Sequence, residues 1–284
     1  MGQRLFVGLQ YLLPQHLLSR VMRALTRVRT RPVKDLLIRG FLRLYTVDMA
    51  EAERSDPGAY DSFNAFFTRA LRSGARPVDA APEAVVSPVD GTVSQAGSMA
   101  GDLLLQAKGI RYSTADLLGG DRDLARSFEG GEFATIYLAP FNYHRIHMPL
   151  KGTLRRAIFV PGDLFSVNSA TAASVPGLFA RNERVACVFD TAAGPVAVVL
   201  VGALFVGSMS LSWLGEVTAT GPGARELTTT GGKLPTLGKA AELGCFNMGS
   251  TVILLFPRGA LQLTPGLAPG SAVRMGQRIA TLSR

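Results

Sequence analysis

Two hydrophobic rhythms divide the 284-residue chain. Over residues 1–75 apolar positions recur at helical spacing: Leu17, Leu18, Val21, Met22 and Leu25, then Leu37, Phe41 and Leu44. Side chains three and four apart share one helix face, so the spacing predicts amphipathic helices. "FNAFFTRALR" (63–72) closes this part, with Phe63, Phe66 and Phe67 placed to pin it to the downstream body, and Pro77 and Pro82 bracket a linker. From Val85 the pattern changes to short β-prone runs separated by turn residues: "VVSPVDGTVS", "FATIYLAP", "RRAIFVPGD", "RVACVFD", "VAVVLVGALFVGSM" and "STVILLFP". These runs predict hairpins and close turns. The expected fold class is α+β, with a helical segment over 1–75 and a mainly-β body of short strands over 76–284. The Gly- and Thr-rich stretch 218–235 reads as a mobile loop.

Composition supports a folded chain. Hydrophobic residues make up 47% and charged residues 18%, too apolar for disorder. The formal charge of +9 points to an anionic partner, nucleic acid or lipid. No basic stretch interleaves with aromatic residues as a base-stacking face would, so no nucleic-acid partner is expected. Arg20, Arg23, Arg27, Arg29, Arg31, Lys34, Arg39 and Arg43 crowd the helical segment, opposed between 20 and 43 only by Asp35. That is the composition of a helix lying on an anionic membrane surface. A helical cap with a solvated basic face has the same composition. Gln10 and Pro14 interrupt the N-terminal apolar stretch and no cleavage motif comes after it, so a signal peptide is not expected. The run "VAVVLVGALFVG" (196–207) is too short to span a bilayer and reads as one or two buried strands. Cys187 and Cys245 form no metal or redox motif and are expected to be free thiols of a reducing compartment.

Chemistry-bearing residues are few. There are three histidines. His16 lies in the helical segment. His144 and His147 share "YHRIHMP", where no Cys or third His completes a shell, so no metal is expected. An acid–base role suits them better, and two satisfied surface imidazoles are the plain alternative. Asp90 precedes Gly91 in "SPVDGTVS", first of all a hairpin-turn signal. Gly249-Ser250-Thr251 runs straight into the apolar strand 252–256, an unusual place for a small polar step. Asp90, His147 and Ser250 supply the residue types of a nucleophile, its base and an orienting carboxylate. The set alone is not specific, and no GxSxG elbow surrounds Ser250.

"FNMGSTVILLF" (246–256), "YHRIHMP", "SPVDGTVS", "VPGDLFSVN" (160–168) and "FNAFFTRALR" together resemble phosphatidylserine decarboxylase of the bacterial, membrane-associated type. The likeness covers nearly the whole chain and keeps motif order. One departure is Met248, where the family has Leu before Gly-Ser-Thr; the two are similar in volume. The resemblance implies self-cleavage of the Gly249–Ser250 bond. The Ser250 hydroxyl would attack the Gly249 carbonyl, with His147, oriented by Asp90, taking the proton. Elimination would then leave a dehydroalanine at 250, which hydrolyses with release of ammonia to a pyruvoyl group, the covalent pyruvate cofactor. Glycine at 249 leaves the attacked carbonyl uncrowded and permits strained dihedrals. The chains 1–249 and 250–284 would stay together as a heterodimer, and a homodimer of such pairs is compatible with the sequence. The implied reaction converts phosphatidylserine to phosphatidylethanolamine, with the ketone as electron sink. His144 is assigned the proton donated to the carbanion, and Ser166 a contact to phosphate or carboxylate, a turn-stabilising serine being its alternative. The basic helices would dock on anionic membranes, placing the protein on the cytoplasmic face of the cell membrane. Rival readings are a Ser-His-Asp hydrolase without self-cleavage, a pyruvoyl decarboxylase of a soluble amino acid, and a non-enzymatic membrane-bound β module.

Overall fold

The computed structural model describes all residues except 1, 206–207, 218–220, 229–231, 233 and 284, and the side chains of residues 2–6 are outside it too. Three helices open the chain: α1 (Gly2–Leu12), α2 (Gln15–Thr26) and α3 (Arg31–Leu44). Arg31 and Pro32 begin α3, a position where the missing proline N–H costs nothing. Helical structure does not continue to residue 75 as the sequence suggests. Residues 45–62 hold only two short 3-10 turns, Met49–Glu51 and Pro57–Ala59. Asp48 and Asp56 accept hydrogen bonds from the N–H groups of Ala50 and Gly58. Such local carboxylate-to-backbone bonds compete with helix propagation. One more short helix before the sheets, α4 (Phe63–Phe67), is capped by the Ser62 hydroxyl, which accepts from the Ala65 N–H. Its three phenylalanines are buried, but mainly against the preceding segment. They form a small core with Ile38 and Tyr60, with Phe41 and Met248 packed against it.

The body is mainly sheet, so the α+β expectation holds at the level of mostly strands with a few helices. The largest sheet has nine strands among the described residues, all paired antiparallel. Thr251–Phe256 lies inside it, between Gly194–Val201 and Glu132–Tyr137. All six of its residues are buried. A continuous apolar run suits a strand covered on both faces. A second sheet of four strands contains Arg145–His147 paired with Glu242–Phe246, then Met209–Leu211 and Gly215–Val217. Of the run 196–207, residues 196–201 lie in the strand Gly194–Val201, residues 202–205 are in no strand and residues 206–207 are outside the description; the next strand, Met209–Leu211, belongs to the second sheet. The mobile loop expected at 218–235 is corrected at Arg225–Glu226, which pairs with Gly152–Val160. Residues 218–220, 229–231 and 233 of that stretch lie outside the described residues.

Residues beyond 250 are stitched to the rest at three places. Thr251–Phe256 has the partners just given. Arg278–Leu282 pairs with Ala84–Val86, and Ala272–Val273 with Gly91–Ser98. Backbone ladders and buried apolar contacts, rather than the 249–250 peptide bond, therefore hold this segment in the fold.

Candidate active site

Two crossings between the sheets build the site. One runs from the end of Glu132–Tyr137 to Arg145–His147, the other from Glu242–Phe246 to Thr251–Phe256. They travel side by side. The N–H of Leu138 donates to the Ser250 carbonyl at 2.8 Å, and the N–H of Phe246 to the His144 carbonyl at 3.1 Å. The Gly-Ser-Thr step lies at the end of the second crossing, and the strand that begins at Thr251 anchors it.

Ser250 is fully buried and its hydroxyl has no hydrogen-bond partner among the described residues. A buried orphan hydroxyl is costly, and native chains seldom keep one without use. His144 is equally buried, which overturns the surface-imidazole alternative for it. Its Nδ1 lies 2.8 Å from the Asn142 carbonyl, so Nδ1 carries the proton and Nε2 the lone pair. That Nε2 is buried without a partner among the described residues. A methyl group placed on Gly249 would sit 3.4 Å from it and 3.6 Å from the Leu138 carbonyl. The ring packs on Phe67, centroids 4.0 Å apart. Burial pushes the His144 pKa down to about 3; the charge of Arg69 adds to this and the bond to Asn142 opposes it. The imidazole is neutral at neutral pH, with a free lone pair facing Gly249.

His147 and Asp90 stand nearby with their hydrogen-bonding capacity engaged. The His147 Nδ1 faces the Ala240 carbonyl at 2.8 Å and its Nε2 meets the Tyr143 hydroxyl at 2.9 Å. Burial lowers its pKa, so it too is neutral. The Asp90 carboxylate accepts from Arg76 Nε at 2.9 Å and from the Met275 N–H at 2.9 Å. Among the described residues no hydrogen bond joins Asp90 to His147 or His147 to Ser250. Both residues act electrostatically in one neighbourhood, since Asp90 is felt at His147. Tyr143 and Arg76 were not singled out in the sequence. Tyr143 adjoins His144, which offered a signal; Arg76 offered none.

Ser166 and Gly249 line one pocket of about 280 Å³, with Phe41, Tyr45, Tyr137 and Phe205 among its walls. The Ser166 hydroxyl also accepts a long bond of 3.5 Å from the Asn168 N–H, so the turn reading applies as well. Gln10 of α1 accepts from the Ser166 N–H at 2.8 Å, and Gln15 of α2 from the Leu164 N–H at 2.6 Å. Gly249 is not among the residues with positive φ, so left-handed freedom is not why glycine stands there. No group of three His, Cys, Asp or Glu residues placed to hold a metal occurs among the described residues.

Comparison with known proteins agrees with this picture. The family model for phosphatidylserine decarboxylase matches residues 63–281, and a second model, PSD, matches residues 5–46. The chain is 54% identical over 282 residues to a phosphatidylserine decarboxylase proenzyme of Pseudomonas fluorescens, covering 98% of this chain and 97% of the relative. It is 52% identical to the proenzyme of Ectopseudomonas mendocina, with 98% of each chain covered. It is 54% identical to that of Pseudomonas aeruginosa, with 98% and 96% covered.

Proposed function

This chain belongs to the phosphatidylserine decarboxylase family and decarboxylates phosphatidylserine, and we propose that it does so with a pyruvoyl group made from its own Ser250. The observation that carries the proposal is the buried, unpartnered Ser250 hydroxyl at a glycyl–seryl bond whose glycine faces an unpartnered imidazole nitrogen. The Ser250 oxygen attacks the Gly249 carbonyl carbon, the C–N bond breaks and the amine takes a proton, leaving an ester. Removal of the Ser250 Cα proton then expels the Gly249 carboxylate. The dehydroalanine that remains takes up water and releases ammonia. The ladders of Thr251–Phe256 keep the new N-terminus in place, so chains 1–249 and 250–284 remain a heterodimer.

The same orphaned groups fit a ketone at position 250. Bound there, a pyruvoyl carbonyl supplies a sink for the electron pair left behind by carbon dioxide. The free Nε2 lone pair of His144, buried beside it, takes up the proton that the substrate ammonium sheds and returns it to the carbon that has lost the carboxylate. Ser166 lies on the pocket wall, placed to meet the head group.

Two assignments of the first proton transfer differ in their support. In the first, His147, oriented by Asp90, takes the Ser250 proton; its free lone pair is on Nε2, and the Tyr143 hydroxyl must yield to expose it. The second gives that step to His144, favoured by the closeness of its Nε2 to Gly249. His147→Ala stays uncut under the first assignment, whereas His144→Ala is cut but inactive. Under the second, His144→Ala stays uncut. Denaturing intact-mass analysis reads both. A wild-type enzyme that is active as one unbroken chain would refute self-cleavage altogether.

The outward face of the helices supports docking on anionic lipid. In α2, Ser19 and Thr26 are buried, while Leu17 and Val21 are 51% and 57% exposed and Leu25 is exposed beside them. Leu36 and Leu44 of α3 and Phe141 and Phe205 near the pocket are exposed as well. No helix among the described residues is long and apolar enough to cross a membrane. An apolar stripe turned outward, with Arg20, Arg39 and Arg43 exposed around it, suits an interfacial helix on the cytoplasmic leaflet.

A further inference from the structure

The pocket beside Gly249 carries a chemical mismatch. Its described lining holds no charged residue, yet the lipid that the family decarboxylates has an anionic phosphodiester and a carboxylate. A cation lies just behind the wall. Arg69 is 5% exposed, two residues after the pocket-lining Phe67, and its Nη2 reaches the carbonyl of Phe141, neighbour of the pocket-lining Pro140, at only 3.4 Å. Its Nε and Nη1 are buried with no hydrogen-bond partner among the described residues. Among the described residues no carboxylate lies within ion-pair distance of it, whereas nearby Arg76 pairs with Asp90 and Glu51, and Arg145 with Glu242. The Phe66 ring, 5.6 Å from the guanidinium carbon, is its chief company. A buried guanidinium with free N–H groups is poorly compensated until an oxyanion reaches it. Its planar donor fork matches phosphate or carboxylate. Its charge is also felt at His144, whose Nε2 faces Gly249.

Resting on the function proposed above, we infer that Arg69 is the head-group receptor and takes the lipid phosphodiester. The carboxylate is the poorer occupant on energetic grounds. An ion pair to it would stabilise the ground state and vanish as carbon dioxide leaves, which raises the barrier. The phosphodiester keeps its charge through the reaction, so holding it lowers KM without opposing the chemistry. A third oxyanion, the carboxylate that cleavage creates at Gly249, arises in the same neighbourhood and is an outcome the test must separate.

Arg69→Met and Arg69→Lys are first checked by intact mass for normal cutting and a blocked small chain. Failure of the wild type there would sink the function, not this inference. In cut Arg69→Met we expect KM for phosphatidylserine in mixed micelles to rise at least tenfold, with kcat within about threefold. Inhibition by phosphatidylethanolamine, which keeps the phosphodiester and lacks the carboxylate, should weaken in step. Arg69→Lys should fall between. A cut variant with unchanged KM overturns the inference. So does a loss confined to kcat with product inhibition intact, which would assign Arg69 to the carboxylate. If both variants fail to mature, the wild type decides. Its lipid adduct, trapped by borohydride, should place an Arg69 N–H in hydrogen-bond contact with a phosphodiester oxygen. Arg69 paired instead with the Gly249 carboxylate, or with neither, contradicts it.

Discussion

Helix α2 and the strand Thr251–Phe256 are both apolar stretches, and the fold treats them in opposite ways. The strand buries every residue between two neighbours, while α2 buries serine and threonine and turns Leu17, Val21 and Leu25 outward. The strand is held by ladders and core packing. Helix α2 and the end of α1 are fastened by polar clamps: Gln10 and Gln15 on the 164–166 loop, Ser19 on the Phe205 N–H at 3.2 Å, and Arg27, just after α2, on Glu216 at 2.5 Å. The difference teaches that burial of apolar side chains fixes the proposed cut site, whereas polar fastening leaves an apolar face of α2 turned outward.

Four changes sharpen or break that contrast. Ser250→Ala removes the proposed nucleophile and should leave one uncut chain with activity down at least about a thousandfold. Because the strand's packing is untouched, the melting temperature should stay near that of an uncut wild-type precursor; a cut product would mean another nucleophile. Leu254→Ala attacks the strand itself. Deleting a fully buried side chain in the central ladder should cost about 2–5 kcal/mol, read by denaturant unfolding. A cost below about 1 kcal/mol would mean that the strand does not anchor the small chain.

The same chemical insult on the helix should behave differently. Leu17→Glu with Val21→Glu should lower sedimentation with anionic vesicles about tenfold or more, by lost apolar contact and added repulsion. Stability in the absence of vesicles should change by less than about 1 kcal/mol, as for exposed sites. Large destabilisation with unchanged vesicle binding would place this face in a protein contact instead.

The smallest effect concerns His144 and pH. Its folded pKa of about 3 lies below the ordinary 6.5, so between those values the unfolded chain binds the proton and the native chain does not. Stability from this group is complete above pH 6.5 and is lost as pH falls toward 3. Glu183 has the opposite sign, since burial raises its pKa to about 7, above the ordinary carboxyl value; its contribution is lost as pH rises from 4.5 through 7. The informative quantity is therefore the difference between wild type and His144→Asn in an uncut Ser250→Ala background. The substitution should flatten the acid-side loss of melting temperature. Parallel curves would mean that His144 is not held neutral in the fold.

The sequence made the local elements legible because their signals are local. Helical spacing marked α2 and α3, and the unbroken run 252–256 marked a strand covered on both faces. Gln10 and Pro14 looked like interruptions of an apolar stretch; Gln10 proves to be a clamp on the Ser166 loop, and that role depends on a partner 156 positions away. The end of helix at Leu44 depended on aspartate turns that helical periodicity does not register. The site was legible in its residues through the motifs around 144, 166 and 250, but not in its wiring. Which imidazole faces Gly249 depends on two sheet crossings running together, a matter of topology. Arg69 was invisible because one arginine in a basic segment looks like any other until its missing counter-ion is seen.

The central claim is that residue 250 becomes a keto-bearing N-terminus still seated in its strand. N-terminal sequencing of the small chain, before and after reductive amination with ammonium and cyanoborohydride, tests it most directly. The account predicts no readable sequence before treatment and Ala-Thr-Val-Ile-Leu-Leu after it, the alanine standing at position 250. A free serine at that position, or no small chain in active enzyme, would contradict it.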